Sequence, residues 1–110
     1  MTKRVELVIL VLLVTGSPLQ AEPSVARQWN EALLTAIRID FARPTVHARN
    51  LFHVSIALYD AWAVYEPAAE TYLLGKTVGE FTGEFSGMPP SDDPEAAKRE
   101  AMSYAVYRLL

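Results

Sequence analysis

Arg49, His53 and Asp60 are the ionisable residues whose spacing points most sharply to chemistry. On a helix that advances 100° per residue they fall within about 40° of one another, as one polar stripe. Such a set can act as a site, with His53 as acid–base and Asp60 orienting its ring. The same residues can form a buried polar network of purely structural value. Asp60 then neutralises Arg49 or a partner helix, and His53 bridges them by hydrogen bonds. Reach favours the structural network. His53 and Asp60 lie about 10.5 Å apart along a helix axis, too far for their side chains to meet unaided.

The other candidates are blander. His47 could ligate a metal, but with two His and no Cys a closed site would need carboxylates brought in by chance. A solvated or capping role fits His47 better. Trp29, Tyr59, Trp62 and Tyr65 could stack a ligand, yet their helical spacing makes core packing the default. Gly83-Glu84-Phe85-Ser86-Gly87 is not a phosphate loop, since no Lys-Ser/Thr pair follows it. There is no Gly-x-Ser-x-Gly elbow. Spacing alone assigns no catalytic, cofactor-binding or metal residue.

Three helices must position these groups, so the sequence predicts an all-α fold. The first spans about 24–41, with Ser24 as N-cap. Val25, Trp29, Ala32, Leu33, Ala36 and Ile37 share its apolar arc, and Arg27, Glu31, Thr35 and Arg38 the opposite one. Pro44 disfavours a helical Arg43 and so closes it. The second spans about 45–65 and carries the polar stripe; Glu66-Pro67 stops it. It is apolar around most of its circumference and needs cover on nearly every side. The third spans about 93–110, with Asp92 or Asp93 as N-cap and Pro94 at its first position. Ala97, Ala101 and Ala105 form a smooth ridge for close contact with another helix. Between the second and third lies a long loop, about 67–91, that holds four of the five glycines and Pro89-Pro90. Its repeated Gly-Glu-Phe-Thr/Ser, Gly79 to Ser86, suits a short hairpin. The helical pattern runs into Leu110 with no glycine cap or proline, which reads as an N-terminal fragment of a larger bundle or a truncated reading frame.

The start of the chain has the layout of a signal peptide over residues 1–21. Lys3 and Arg4 precede the unbroken aliphatic run Leu7 to Val14. Gly16, Ser17 and Pro18 break that run, and Leu19-Gln20-Ala21 offers a cleavage site. The run is far short of the roughly 20 residues of a spanning helix, so no stable membrane span is expected; the alternative is an uncleaved anchor, since Leu19 is bulky for the position three before the cut. Residues 22–110 then form a partial helical domain, exported to the periplasm or secreted. Cleavage removes two of the 10 basic and one of the 13 acidic residues and leaves a net charge of −4. With no Lys/Arg cluster, that charge argues against a nucleic-acid partner. The absence of Cys means that no disulfide staples the export product.

Several strings of the chain resemble the N-terminal region of bacterial vanadium-dependent haloperoxidase-like proteins, in the superfamily shared with type 2 phosphatidic acid phosphatases. These strings are Ala26-Arg27-Gln28-Trp29-Asn30-Glu31, Ala36-Ile37-Arg38, the run from Arg43 to His53, Tyr59-Asp60-Ala61-Trp62, and Ser103 to Leu110. The resemblance covers about 25–67 and 92–110, three helices in order. It implies an exported helical bundle that holds vanadate or phosphate between Lys, Arg and Ser, with a His as acid–base or nucleophile. The family's motifs are Lys-x6-Arg-Pro, Pro-Ser-Gly-His and Ser-Arg-x5-His-x3-Asp. None occurs here, and Ala36 stands where the Lys before Arg43-Pro44 would be. The resemblance therefore implies a scaffold role for these helices and catalytic motifs beyond the chain. It implies vanadate as cofactor of a longer parent only, no cofactor for this chain, and the rest of the parent domain or partner helices as its partner. The alternative is a small exported helical interaction module without catalysis.

Overall fold

The computed structural model describes residues 21–110. The leader expected over 1–21 lies outside the described residues, apart from Ala21. The described part is mostly helical, 54% in three helices, with one two-stranded sheet.

Helix α1, Val25–Ile39, starts where Ser24 Oγ accepts the Arg27 backbone N–H at 3.3 Å. This satisfies one of the orphan donors of the first turn. The helix stops two residues before the expected Phe41, because Asp40 turns extended at ψ 165°. Asp40 makes the corner. Its Oδ1 accepts the Phe41 N–H at 2.8 Å, and its Oδ2 takes the Arg43 guanidinium at 2.7 Å. A short carboxylate bonded to the backbone just after it competes with helix continuation.

Helix α2, Pro44–Ala63, opens on Pro44, whose missing N–H costs nothing at a helix start. No side chain of Arg43 caps it; His47 instead reaches back to the Phe41 carbonyl, Nε2 to O 3.0 Å. A carbonyl only accepts, so Nε2 carries the proton.

The long loop holds the hairpin. Strands β1, Thr77–Val78, and β2, Phe81–Thr82, pair antiparallel with Val78 opposite Phe81. The two residues between them are Gly79, at φ +62°, and Glu80, which has negative φ. Gly in the first central position fits a II′ turn. Gly83 is needed for a different reason: a Cβ there would sit 2.6 Å from the Leu73 carbonyl oxygen.

Helix α3, Pro94–Tyr107, is capped by Asp93, whose Oδ1 accepts the Ala96 N–H at 3.0 Å. Glu95 in its first turn complements the helix dipole. It ends at Tyr107, short of the expected Leu110.

α3 packs most closely on α2, less on α1, and α1 and α2 touch least. The core is small: Leu33 of α1, Val54 and Leu58 of α2, Met102 and Val106 of α3. Val25, Trp29, Ile37 and Ala61 pack on its edge. The buried line of α3 is thus Met102–Val106, and the alanine ridge beside it is half-buried. Ala32 and Ala36, expected on the inner arc of α1, are exposed, since α3 covers only a narrow strip of that helix. Among the described residues no helix is long and apolar enough to cross a membrane.

Candidate functional site

Of the three stripe residues, only Asp60 is buried, 5% exposed. It sits one turn before the end of α2, where the chain returns from the loop and passes over it. Its Oδ1 accepts the Tyr72 N–H, and its Oδ2 accepts the N–H groups of Leu73 at 2.9 Å and Leu74 at 3.0 Å. A buried carboxylate is tolerated when it is hydrogen-bonded, and three successive N–H groups form a cradle of partial positive charge around this one. Next to it, the Tyr59 hydroxyl donates to the Glu70 carbonyl at 2.8 Å.

Arg49 and His53 are exposed. Among the described residues no hydrogen bond or ion pair joins either to Asp60. The expected network of Arg49, His53 and Asp60 is therefore not formed by side chains. Backbone N–H groups of the loop compensate Asp60, and the helical distance from His53 is spanned by nothing else. Among the described residues the ring of Phe52 neighbours that of His53, with centroids 6.3 Å apart.

Two clefts flank the core. One, of about 310 Å³, lies between α1 and α2 and is lined by Asp40, His47, Asn50 and His53 together with Leu33 and Ile37. Its polar groups are partly spent, since Asp40 holds Arg43 and His47 holds the Phe41 carbonyl. The Arg43 guanidinium keeps the Asp40 carboxyl below its ordinary value of 3.8, and the Phe41 N–H adds to that. The other cleft, of about 420 Å³, is almost wholly apolar. It lies between α2, the loop and α3, with Ile56, Ala57, Leu73, Leu74, Phe81 and Ala105 in its walls. His53 stands at the edge of both.

A bound oxyanion such as vanadate needs several cationic donors converging on one point. No Lys or Arg lines either cleft. Arg43 is on Asp40, Lys76 on Glu70, and Lys98 on Glu66 and Glu95. Neither cleft offers the converging cations that an oxyanion site needs. Among the described residues no three His, Asp or Glu side chains converge on a point that would hold a metal ion.

Sequence reasoning missed the partners of Asp60. They are backbone groups, which carry no residue signature. The one available signal was a lone acid near the end of an otherwise apolar helix that leads into a glycine-rich loop. No family model, curated protein or solved structure matches the chain.

Proposed function

We propose that this chain is the N-terminal scaffold part of an exported protein of the vanadium haloperoxidase and acid phosphatase superfamily, with the oxyanion-binding motifs beyond it. The observation that carries the reading is the uncovered side of α2. Phe52 is 55% exposed and Tyr59 43%, and Leu51 and Trp62 of the same helix are exposed with them. Apolar surface of that kind is covered in a stable protein, and a larger helical bundle would cover it. The family strings fall on α1, α2 and α3 in order, and Asp60 of the Tyr-Asp-Ala-Trp string fixes the loop rather than reacting. In the parent, peroxide-dependent halide oxidation or phosphate-ester hydrolysis would occur at an oxyanion held by residues outside this chain. Electrostatic clamping of a five-coordinate centre serves both reactions. Export follows from the leader expected over 1–21.

The same uncovered side supports the second reading, a non-catalytic exported module that docks a partner helix there. Sequencing the reading frame past codon 110 separates the two. Lys-x6-Arg-Pro followed by Pro-Ser-Gly-His supports the scaffold reading; a stop codon, with a soluble and cooperatively folding 89-residue product, supports the module. The purified chain is expected to bind no orthovanadate in calorimetric titration and to oxidise no bromide with peroxide. Halide oxidation by the pure chain would overturn the scaffold assignment.

A further inference from the structure

The loop between α2 and α3 is built as a separate piece. Within it, Gly75 N–H donates to the Gly83 carbonyl at 2.6 Å and Gly83 N–H to the Lys76 carbonyl at 3.0 Å. The hydroxyls of Thr77 and Thr82 pair across the strands at 3.0 Å, and Lys76 N–H closes onto the Leu73 carbonyl at 3.1 Å. These bonds need nothing from the helices. The ties to the helices are few. For residues 70–83 the hydrogen bonds to the helices, among the described residues, are those of the Asp60 carboxylate, gripping Tyr72, Leu73 and Leu74, and of the Tyr59 hydroxyl on Glu70; nearer α2, Glu66 is held by Lys98 of α3. Neither strand packs closely on a helix. Val78 and Phe81 are 54% and 61% exposed. Leu73 and Leu74, the residues Asp60 grips, form one wall of the apolar cleft against Ile56, Ala57 and Ala105.

We propose that residues 70–83 are a strap that the Asp60 carboxylate holds closed along the apolar cleft, and that the strap opens as a unit while the helices stay folded. A segment with its own hydrogen bonds loses few of them on opening, and one with few apolar contacts to the core opens at low cost. Here both conditions meet at one clasp. Removing the carboxylate deprives three backbone N–H groups of their acceptor at once, without touching Leu33, Val54, Leu58, Met102 or Val106. The inference is independent of the scaffold reading, because it concerns only residues of this chain.

Limited trypsinolysis of Asp60→Ala and Asp60→Asn tests it. Lys76 reports on the strap and Arg99 on α3. Scission after Lys76 is expected to accelerate at least tenfold in both variants. Scission after Arg99 and the far-ultraviolet helical signal should stay as in the unsubstituted chain. Unchanged scission at Lys76, or equal acceleration at Lys76 and Arg99, overturns the strap. Should the variants not fold, hydrogen exchange of the unsubstituted chain decides. Amides of residues 72–83 exchanging together, at least tenfold faster than those of 54–63, support it. Exchange of both sets at one rate overturns it.

Discussion

The two halves of α2 are made of similar residues and fare differently. From Val54 to Ala63 the helix buries Val54, Leu58, Asp60 and Ala63. From Pro44 to His53 it buries none. Phe52 is 55% exposed, and Val54, two residues on, is 2% exposed. Side-chain hydropathy cannot account for that, since phenylalanine gains at least as much from burial as valine. The difference is what the rest of the chain brings. α3 lies along the second half and the strap crosses its end, whereas the first half faces the corner, where Ile39 and Phe41 are themselves 85% and 84% exposed, and the open cleft towards α1. Burial in this molecule follows neighbours, and the neighbours run out halfway along the helix.

The largest effect should fall on the second half. Leu58→Ala removes a side chain from the centre of the core cluster and is expected to cost about 2–5 kcal/mol in urea unfolding. Phe52→Ala should change stability by no more than about 0.5 kcal/mol, the usual size for a surface position. Equal costs would abolish the contrast between the halves. The same pair sharpens the scaffold proposal. In a longer product that covers the first half, Phe52→Ala should rise to about 3–5 kcal/mol, the range for a buried phenylalanine.

A smaller loss is expected at the strap's base. Gly83→Ala places a methyl group 2.6 Å from the Leu73 carbonyl oxygen, which is backbone and cannot rotate aside. Overpacking of this kind costs about 1–3 kcal/mol. Gly79→Ala meets no neighbouring atom and pays only for its positive φ, so it should cost less. If Gly79→Ala proves the more damaging, the tight spot at the base is not what holds the hairpin in place. Both are read from the thermal midpoint of the chain.

The helices were legible in the sequence because their ends carry local chemistry. Ser24, Asp93 and Pro94 each act within one turn, and each stands where its residue type predicts, while Pro44 itself opens α2, one residue before the expected 45. The ends at Ile39 and Tyr107 were less legible, because the apolar pattern continues past both and the stop depends on tertiary surroundings. At the first, a two-residue carboxylate–guanidinium corner made by Asp40 and Arg43 takes over from the helix. The first Gly-Glu of the repeat forms the hairpin turn, as a glycine there signals, while the second copy, from Gly83, lies beyond the strands. The partners of Asp60 could not be read. A carboxylate spaced at a helical interval from a histidine suggests a side-chain set, and nothing in a sequence announces that three peptide N–H groups 12 to 14 residues away will satisfy it first. The alanines of α3 suggest the contact, but Met102 and Val106 fill the larger gap that α1 and α2 leave between them.

Caps should give effects of intermediate to small size. Asp93→Ala deprives the Ala96 N–H of its acceptor and should cost about 1 kcal/mol. Ser24→Ala should cost less, because its bond to Arg27 N is longer, 3.3 Å, and its helix is the one least tied to the others. A larger loss at Ser24 would show that α1 contributes more to the fold than its packing suggests.

The smallest effect is an alkaline one, at the junction that keeps the second half of α2 covered. Lys98 of α3 donates to Glu66 Oε1 at 2.7 Å and to Glu95 Oε1 at 2.8 Å. Glu66 lies just past the end of α2, so this ammonium ties the two best-packed helices together. Its hydrogen bond to Glu66, then that to Glu95, hold it above the ordinary lysine value of 10.5. A raised folded-state value means that the folded chain keeps the proton where the unfolded chain has begun to lose it. The contribution is therefore complete below 10.5 and fades as the pH rises through the higher folded value. Lys98→Met keeps the aliphatic stem and removes the charge. The reading is the difference between the two chains' urea midpoints from pH 9 to 12, which cancels whatever the two chains share. That difference should shrink towards zero at the alkaline end, and added salt should reduce it at neutral pH. A difference that stays constant across the range would assign Lys98 to packing by its stem, and the junction between α2 and α3 would then owe nothing to this ammonium's charge.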